Sequence, residues 1–251
     1  RRVRRARVGS GASPASACTY SRVTRAGVDS LFSALPQCDV TFLDLAVRPA
    51  IPADADRLVA GAGDLEVARW VRDMAGSAVT EPGHLHEVSL AKTSVTDRLV
   101  ANLSRLSQIR KLELQSTELG DLALQHLVEL ESLNELDLSG TLVSDAGLVH
   151  LSGLHNLTKL RLGHTQVEGA GLEHLRGLKL REIDLSGSPI GDDGLRNLAT
   201  IESLQQLGLG YTDFSDSGLL HLKYLPELTR LDLVGTDCGN DGLGQIAALR
   251  S

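Results

Sequence analysis

The chain has 251 residues, of which 42% are hydrophobic and 23% charged, an ordinary globular mixture that excludes a disordered or collagen-like protein. Aromatic residues make up only 3%, so any core must be built largely from aliphatic side chains. No run of about 18 apolar residues occurs, and we therefore expect no membrane insertion. Cys18, Cys38 and Cys238 show no CxxC spacing, which argues against a disulfide framework or a zinc site and favours a reducing, cytoplasmic compartment.

Residues 1–29 form a basic segment that is rich in Arg, Ser, Ala and Gly. Its composition is typical of a disordered linker from a longer protein or of an organellar transit peptide, and we favour the linker. The formal net charge of the whole chain is −7, so the rest of the chain is strongly acidic. An acidic surface repels phosphate backbones, and we expect no nucleic acid among the partners.

Residues 30–84 are interpreted as an N-terminal cap. The stretch Val40–Leu45 (VTFLDL) resembles the strand of a degenerate repeat, with residues 54–61 as its helix. A half-buried helix is predicted at Asp64–Met74 from apolar residues at three-residue spacing: Leu65, Ala68, Val71 and Met74. Trp70 is expected to pack this cap against the first repeat, because a lone aromatic residue on an apolar helix is usually part of the core.

Residues 85–251 consist of seven copies of one pattern, 23 or 24 residues apart. Numbered from 1 within each copy, positions 1, 4, 6, 11, 16, 19 and 22 are apolar every time. Positions 4 and 6 predict a short strand with one buried face, and positions 16, 19 and 22 predict a helical stripe. Stacked strand and helix units form a solenoid with a parallel sheet. The copies begin at Leu85, Ile109, Leu133, Leu157, Leu180, Leu204 and Leu228.

Three further columns of the repeat predict the turn chemistry. Position 9 is Thr or Ser, whose hydroxyl can satisfy backbone groups where the chain leaves the strand. Position 13 is mostly Asp, which we interpret as the N-cap of the following helix. Position 15 is mostly Gly, which is expected where the backbone turns tightly or approaches the neighbouring copy.

The segments LNELDL, LTKLRL, LREIDL and LTRLDL carry the pattern LxxLxL, which resembles the leucine-rich repeat family. The continuation T-x-V-x-D-x-G-L-x-x-L is similar to its bacterial and cysteine-containing-like subclasses. The resemblance implies an α/β fold, a right-handed solenoid with a parallel β-sheet on the concave face and short helices on the convex face. For function it implies protein–protein recognition.

No motif for a phosphate loop, a zinc protease or a nucleophile elbow occurs, so we predict a protein that is not an enzyme and needs no cofactor or metal. Four histidines share position 18, but successive repeats hold them apart, and we expect exposed side chains rather than metal ligands. Cys238 replaces an aliphatic residue at position 11 and is interpreted as a small buried hydrophobe. The four histidines are His126, His150, His174 and His221.

The exposed strand positions are the best candidates for a partner-binding site, because equivalent residues on neighbouring strands form ladders. Position 3 alternates in sign and is expected to neutralise itself across strands. At position 5, Glu113 and Asp137 are adjacent like charges that call for a positive group, which Arg161 supplies in part. Position 7 is mostly small, and Tyr211 at position 8 is the preferred anchor. The candidate residues are Glu113, Asp137, Arg161, His164, Asp184, Tyr211 and Asp232.

The function hypothesis is a non-enzymatic module that binds a protein or peptide of some basic character on its concave face. One alternative is an adaptor or substrate-recognition arm of a larger assembly, such as a ubiquitin-ligase-like receptor or a bacterial effector. Another is the targeting domain of an enzyme whose catalytic domain lies outside this chain, and a third is a purely structural scaffold. The last repeat lacks a cap, so we expect either a longer natural chain or self-association there.

Overall fold

The computed structural model describes residue 51 and residues 62–246. The basic segment 1–29, the strand expected at Val40–Leu45 and the helix expected at residues 54–61 lie outside the described residues. The same holds for Cys18 and Cys38.

Helix α1 spans Asp64–Asp73, where a helix was predicted. The helix is buried on one face, as predicted, but Leu65 does not belong to that face, because its side chain is 64% exposed. An α-helix advances 3.6 residues per turn, so a row of residues three apart drifts around its axis. The buried stripe instead combines spacings of three and four residues. Its members are Val67, Ala68, Trp70, Val71 and Met74.

A β-hairpin follows α1, which the sequence reading missed. Strands β1 (Ser77–Glu81) and β2 (His84–Ser89) pair antiparallel, with Glu81 opposite His84. Pro82 and Gly83 form the turn between them, and Gly83 has a φ of 88°, as the third residue of a type II turn requires. The Pro-Gly pair is the sequence signal that could have located this hairpin. Strand β1 covers one edge of the sheet that β2 begins.

The sheet has eight strands in the order of the chain, and all pairs from β2 to β8 are parallel. The predicted α/β solenoid is therefore confirmed. Each strand after β2 has only three residues, with the central one pointing inward. The strands are β3 (Lys111–Glu113), β4 (Glu135–Asp137), β5 (Lys159–Arg161), β6 (Glu182–Asp184), β7 (Gln206–Gly208) and β8 (Arg230–Asp232).

Short helical segments connect the strands, as the apolar stripe of the repeat predicts. Some are α-helical and some are 3₁₀, which suits side chains that recur every three residues. The α-helices are α2 (Asp97–Val100), α3 (Asp121–Leu124), α4 (Asp192–Leu198), α5 (Asp216–Leu219) and α6 (Asn240–Ile246). The 3₁₀ segments are Ala101–Leu103, Leu148–Leu151, Ala170–Leu175 and Leu220–Tyr224.

The core lies between the sheet and these helical segments and is almost entirely aliphatic. In the third copy, Leu136 and Leu138 of the strand side pack with Leu148 and Leu151 of the helical side, and all four are buried. Hydroxyl groups are the polar exception, and they satisfy the bend as predicted. Thr141, for example, donates from Oγ1 to the carbonyl oxygen of Leu138 at 2.6 Å. The buried hydroxyl column is Thr93, Thr117, Thr141, Thr165, Ser188 and Thr212.

The prediction that the position 13 carboxylates are N-caps is wrong. Asp121 is the first residue of α3 and Gly120 is its N-cap. The Asp121 carboxylate instead reaches the next repeat, where it accepts from the backbone N–H of Ser144 at 2.8 Å and from its hydroxyl at 2.7 Å. These loop N–H groups lie outside the strand ladder and need an acceptor, which the preceding repeat supplies. Equivalent links join Asp97 to Gly120, Asp145 to Glu168, Asp192 to Ser215 and Asp216 to Gly239.

Glycine at position 15 makes room for these links. A Cβ on Gly147 would lie 2.5 Å from Oδ1 of Asp121 and 2.8 Å from Cδ1 of Leu124. Of the two roles considered for this column, close approach to the neighbouring copy is the one that Gly147 fulfils, since its φ is an ordinary −75°.

Gly147→Ala should lower the free energy of unfolding by about 1–3 kcal/mol, because the new methyl group must displace the Asp121 carboxylate from Ser144. Gly153→Ala is the matched control, since nothing lies within 4 Å of its Cβ position. We expect the control to change stability by less than about 1 kcal/mol. Urea denaturation followed by circular dichroism measures both, and equal stability of the two variants would contradict the packing role of Gly147.

Candidate functional site

The outward side chains of β2 to β8 and of the two residues after each strand define a surface that we call the sheet face. The structure brings five of the predicted residues to equivalent positions on it. Glu113 pairs in register with Asp137, Asp137 with Arg161, and Arg161 with Asp184. Asp232 lies two strands beyond Asp184, with Gly208 between them. Neighbouring strands are about 4.8 Å apart, so the ladder predicted at position 5 exists.

Ion pairs cover the part of the sheet face from β3 to β5 and reach β6. Arg161 lies 3.0 Å from Glu182 and 3.9 Å from Asp137. Lys159 lies 3.0 Å from Glu135, a cross-strand pair of the kind expected at position 3. Lys111 departs from that expectation, because its ammonium group lies 2.7 Å from Glu113 on its own strand. The negative charges of Glu113 and Asp137 are therefore offset by Lys111 and Arg161 of the same chain.

The electrostatics of these pairs follow from their contacts. The hydrogen bond from Lys111 lowers the pKa of Glu113 despite partial desolvation, and a hydrogen bond from Ser89 adds to the effect. The same contact with Glu113 raises the pKa of Lys111. For Arg161, burial disfavours the charged form, but Glu182 and Asp137 outweigh it and the pKa is raised. Each charge on this part of the sheet is stabilised by its neighbours.

Little room remains among these side chains. The cavity that they enclose has a volume of about 10 Å³, which is close to the space one water molecule requires. We call this group the charged half of the sheet face. It consists of Lys111, Glu113, Glu135, Asp137, Lys159 and Arg161.

Around β7 the sheet face carries fewer side chains, because positions 5 and 7 are Gly208 and Gly210 and only Gln206 at position 3 projects from the strand. Asp184 on one side accepts from the backbone N–H of Ser186 at 3.0 Å and from its hydroxyl at 2.6 Å. Asp232 on the other side accepts from the N–H of Val234 at 3.0 Å. Within the described residues, neither carboxylate forms an ion pair. We call Asp184, Ser186, Gly208, Gly210, Tyr211, Asp232 and Val234 the open half.

Position 8 adopts the left-handed conformation in all seven repeats. The N–H of this residue still donates to the next strand, as Tyr211 does to the carbonyl oxygen of Val234 at 2.8 Å. The positive φ then turns the chain inward and places the position 9 hydroxyl in the core. The residues and their φ values are Lys92 (59°), Ser116 (59°), Gly140 (66°), His164 (55°), Gly187 (71°), Tyr211 (56°) and Gly235 (72°).

Tyr211 and His164 hold large side chains at this left-handed position. Such a backbone costs a residue other than glycine about 1–2 kcal/mol. The Tyr211 ring lies over Gly235, where a Cβ would come within 2.5 Å of Cδ1, and the His164 ring lies over Gly187 in the same way. Tyr211 is nevertheless 67% exposed. Its ring is therefore supported on one side and accessible to solvent on the other.

The structure also shows a groove of about 990 Å³ along the loops that follow the strands, which sequence reasoning did not single out. The sequence feature that could have located this groove is the recurrence of Asp at positions 10 and 13 in neighbouring repeats. Asp192 and Asp216 in this groove are committed to the backbone links described above. We call it the edge groove. Its acidic members are Glu168, Asp192, Asp193, Asp213, Asp216 and Asp237.

Other predicted features are placed as follows. The position 18 histidines lie on separate repeats, with His174 exposed and the other three half-buried. In the described part of the chain, no group of three or more His, Cys, Asp or Glu residues could hold a metal ion.

Cys238 packs against the core but is only half-buried, with Sγ 3.3 Å from Oγ1 of Thr236. None of the helices described has both the length and the apolarity needed to cross a membrane.

Comparisons with known proteins agree with this geometry. A family model described as Leucine Rich repeat matches residues 153–175 and 178–199. The structure resembles an internalin (inlF) from Listeria monocytogenes, with a TM-score of 0.56 and 20% identity over 66% of this chain and 47% of that one. It also resembles internalin C2 (inlC2) from the same organism, with a TM-score of 0.54 and 22% identity over 81% of this chain and 96% of that one. The comparison with curated proteins gave no match.

The described solenoid is therefore a leucine-rich repeat structure. The chain spans about half the length of the inlF internalin that it matches. At 20% and 22% sequence identity, the similarity to these two internalins shows a shared fold and does not extend to function.

Lys111→Met should move the titration of Glu113 toward its ordinary value of 4.5. A carboxylate whose pKa is lowered in the folded state stabilises the fold above its unfolded pKa and loses that contribution as the pH falls through the folded pKa. The variant should therefore lose less stability than the parent as the pH falls through this acidic range. NMR titration of the Glu113 carboxyl carbon measures the shift, and Lys179→Met, which alters an exposed lysine outside the sheet, should leave it unchanged.

Tyr211→Gly should leave the free energy of unfolding within about 1 kcal/mol of the parent, because relief of the left-handed strain offsets the greater freedom of glycine in the unfolded chain. Tyr211→Val is the comparison, since a β-branched residue tolerates this backbone least, and it should destabilise by about 1–2 kcal/mol. Urea denaturation distinguishes them. A loss above about 2 kcal/mol for the glycine variant would mean that the ring is needed for the fold itself.

Proposed function

We propose that this chain is a non-enzymatic recognition module that binds a protein or a peptide on its sheet face. The observation that carries the proposal is the exposed Tyr211 ring, held on a left-handed backbone where glycine would serve the fold as well. Strain of this kind persists where it has a use. The proposed contact residues are Glu113, Asp137, Arg161, His164, Asp184, Tyr211 and Asp232.

The rigidity of the sheet face supports this role. Its strands are bonded to their neighbours from the strand start to position 8, and carboxylate links join the loops of consecutive repeats. A surface fixed in this way loses little conformational freedom when a partner binds, which favours affinity. Tyr residues are also frequent among the groups that contribute most to protein interfaces.

We further propose that the chain divides into a cap at residues 30–84 and seven repeats at residues 85–251, of the bacterial or cysteine-containing-like kind with a 24-residue period. Strand pairs such as Lys111 with Glu135 support this period, because their partners lie 24 residues apart. A cytoplasmic location and self-association through the last repeat stay predictions, as do the adaptor and enzyme-targeting alternatives.

Charge reversal on the sheet face tests the proposal. In the variant Glu113→Lys, Asp137→Lys, Asp184→Lys, capture of partners by the immobilised chain should fall at least about tenfold relative to the parent, because like charges now oppose a basic partner. The control variant Glu129→Lys, Glu173→Lys, Glu202→Lys makes the same charge change at exposed positions outside the sheet. It should capture the same proteins as the parent.

Quantitative mass spectrometry of the captured proteins gives the measurement, and thermal denaturation checks that both variants are folded. Hydrogen exchange of the parent with a captured partner should then show protection at strands of the sheet face. Unchanged capture by the folded sheet-face variant would rule out the proposal and favour a purely structural scaffold.

A further inference from the structure

We infer that the outer edge of β8 pairs antiparallel with the same strand of a second copy of this chain, so that a two-fold symmetric dimer forms. The inference takes up the self-association predicted for the last repeat and assigns it a register. It does not depend on the proposed recognition of another protein, because pairing at an edge leaves the sheet face of each copy accessible.

The repeat that begins at Leu228 lacks cover on the side that faces away from β7. At position 16, Leu219 of the preceding repeat is 1% exposed, whereas Leu243 is 47% exposed. Leu231 and Leu233 at positions 4 and 6 are half-buried, although their equivalents in the preceding repeat are buried. The described solenoid therefore has an apolar end face, and covering such a face lowers the free energy.

The backbone of β8 also has hydrogen-bonding groups without a partner. In the six preceding repeats the position 6 N–H donates to the next strand, as Leu209 does to the carbonyl oxygen of Asp232 at 2.9 Å. The equivalent N–H of Leu233 has no such acceptor among the described residues, where β7 is the one neighbour of β8. Because the carbonyl group of Asp232 faces β7, the N–H and C=O groups of Leu231 face the outer edge. Unpaired edge groups of this kind pair readily with another strand.

Two β8 strands that pair antiparallel around Leu231 are complementary to each other. At this centre each Leu231 exchanges two backbone hydrogen bonds with its counterpart, and the N–H of Leu233 reaches the carbonyl oxygen of Thr229 in the other copy. Arg230 of one copy then lies opposite Asp232 of the other, and symmetry repeats the pair. Such residues face each other at about 4.5 Å between their Cα atoms, so the register forms two ion pairs across the interface.

Both charges are available for these pairs. Arg230 and Asp232 are exposed and form no ion pair with the described residues. Arg230 has a long contact of 3.5 Å with Oε1 of Gln206, and Asp232 accepts from a backbone N–H with Oδ1. Strand β3 carries a basic and an acidic residue at the same two positions, but there Lys111 and Glu113 pair with each other. The charges of β8 are therefore free to pair with a second copy.

The other end of the sheet shows that an antiparallel neighbour suits this scaffold. Strand β1 pairs antiparallel with β2 and covers that edge. There the chain supplies the additional strand itself, through the turn at Pro82 and Gly83. At β8 the described residues contain no such hairpin, and in the proposed dimer a second copy supplies the strand.

Sedimentation velocity of the purified full chain at about 1–100 µM tests the inference. The average mass should rise from the 26.8 kDa of the monomer toward twice that value as the concentration increases. A reductant in every sample excludes dimers linked by disulfides.

Hydrogen exchange followed by mass spectrometry locates the interface. Peptides that contain β8 should exchange more slowly at the higher concentrations, because the N–H groups of Leu231 and Leu233 are then bonded. Peptides that contain β7 serve as the control, since the N–H of Leu209 is already bonded within the chain, and they should exchange equally at all concentrations.

Charge variants on β8 test the register. Arg230→Asp places like charges opposite each other in both pairs, and so does Asp232→Arg, so each should weaken the dimer by at least about tenfold. The double variant Arg230→Asp, Asp232→Arg restores opposite charges and should dimerise like the parent. An equimolar mixture of the two single variants should form a heterodimer, because one copy is then acidic and the other basic at both positions.

The matched controls are Arg176→Asp and Asp213→Arg, which make the same charge changes at exposed residues outside β8 and should dimerise like the parent. Thermal denaturation shows whether each variant is folded, and formation of the heterodimer shows it for the two single variants on β8.

A chain that stays monomeric up to about 100 µM would overturn the inference, as would a dimer that neither single variant weakens or a mixture of them that stays monomeric. Slow exchange of β8 in the monomer would also overturn it, since another part of the chain then covers this edge. The proposed function fails by a different result, the unchanged capture of partners by the Glu113, Asp137 and Asp184 reversal variant. Those residues lie on β3, β4 and β6, away from the dimer edge, so each test leaves the other independent.

Discussion

The fold depends on how each repeat leaves its strand. The residue at position 8 must donate its N–H to the next strand and then turn the chain inward, so its φ is positive in every repeat. The buried hydroxyl that follows can then bond to the strand carbonyl three residues earlier, as Thr141 does to Leu138. Because this geometry is fixed by the backbone, the side chain at position 8 has a constant place at the rim of the sheet. Tyr211 and His164 are the residues that place an aromatic ring at this rim.

The distribution of ion pairs divides the sheet face into two parts. In the charged half, Arg161 and its neighbours satisfy one another and close the surface. In the open half, Asp184 and Asp232 form no ion pair among the described residues and instead accept hydrogen bonds from the backbone N–H groups of Ser186 and Val234. One sheet thus combines an area whose charged side chains pair with one another and an area whose carboxylates are held by backbone N–H groups.

Much of the fold could be read from the sequence because the same buried positions recur, and burial depends on local periodicity. The sequence also placed Glu113 beside Asp137, since a repeated strand fixes its own register. Contacts between repeats were harder to foresee. Asp121 accepts from Ser144 rather than capping its own helix, and Lys111 donates to Glu113 rather than across the sheet. Several donors lay within reach of Asp121 and several acceptors within reach of Lys111, and a local pattern does not rank them. The turn at Pro82 and Gly83 escaped notice because it occurs only once.

The repeat that begins at Leu157 is one residue shorter than the others, yet Lys159 still pairs with Glu182 in the same register as the other strands. The missing residue falls between Leu178 and Leu180, after the 3₁₀ segment Ala170–Leu175. Length variation is therefore absorbed on the helical side and does not reach the strands. A connection on the helical side can therefore differ in length by one residue while the register of the strands, and with it the geometry of the sheet face, is preserved.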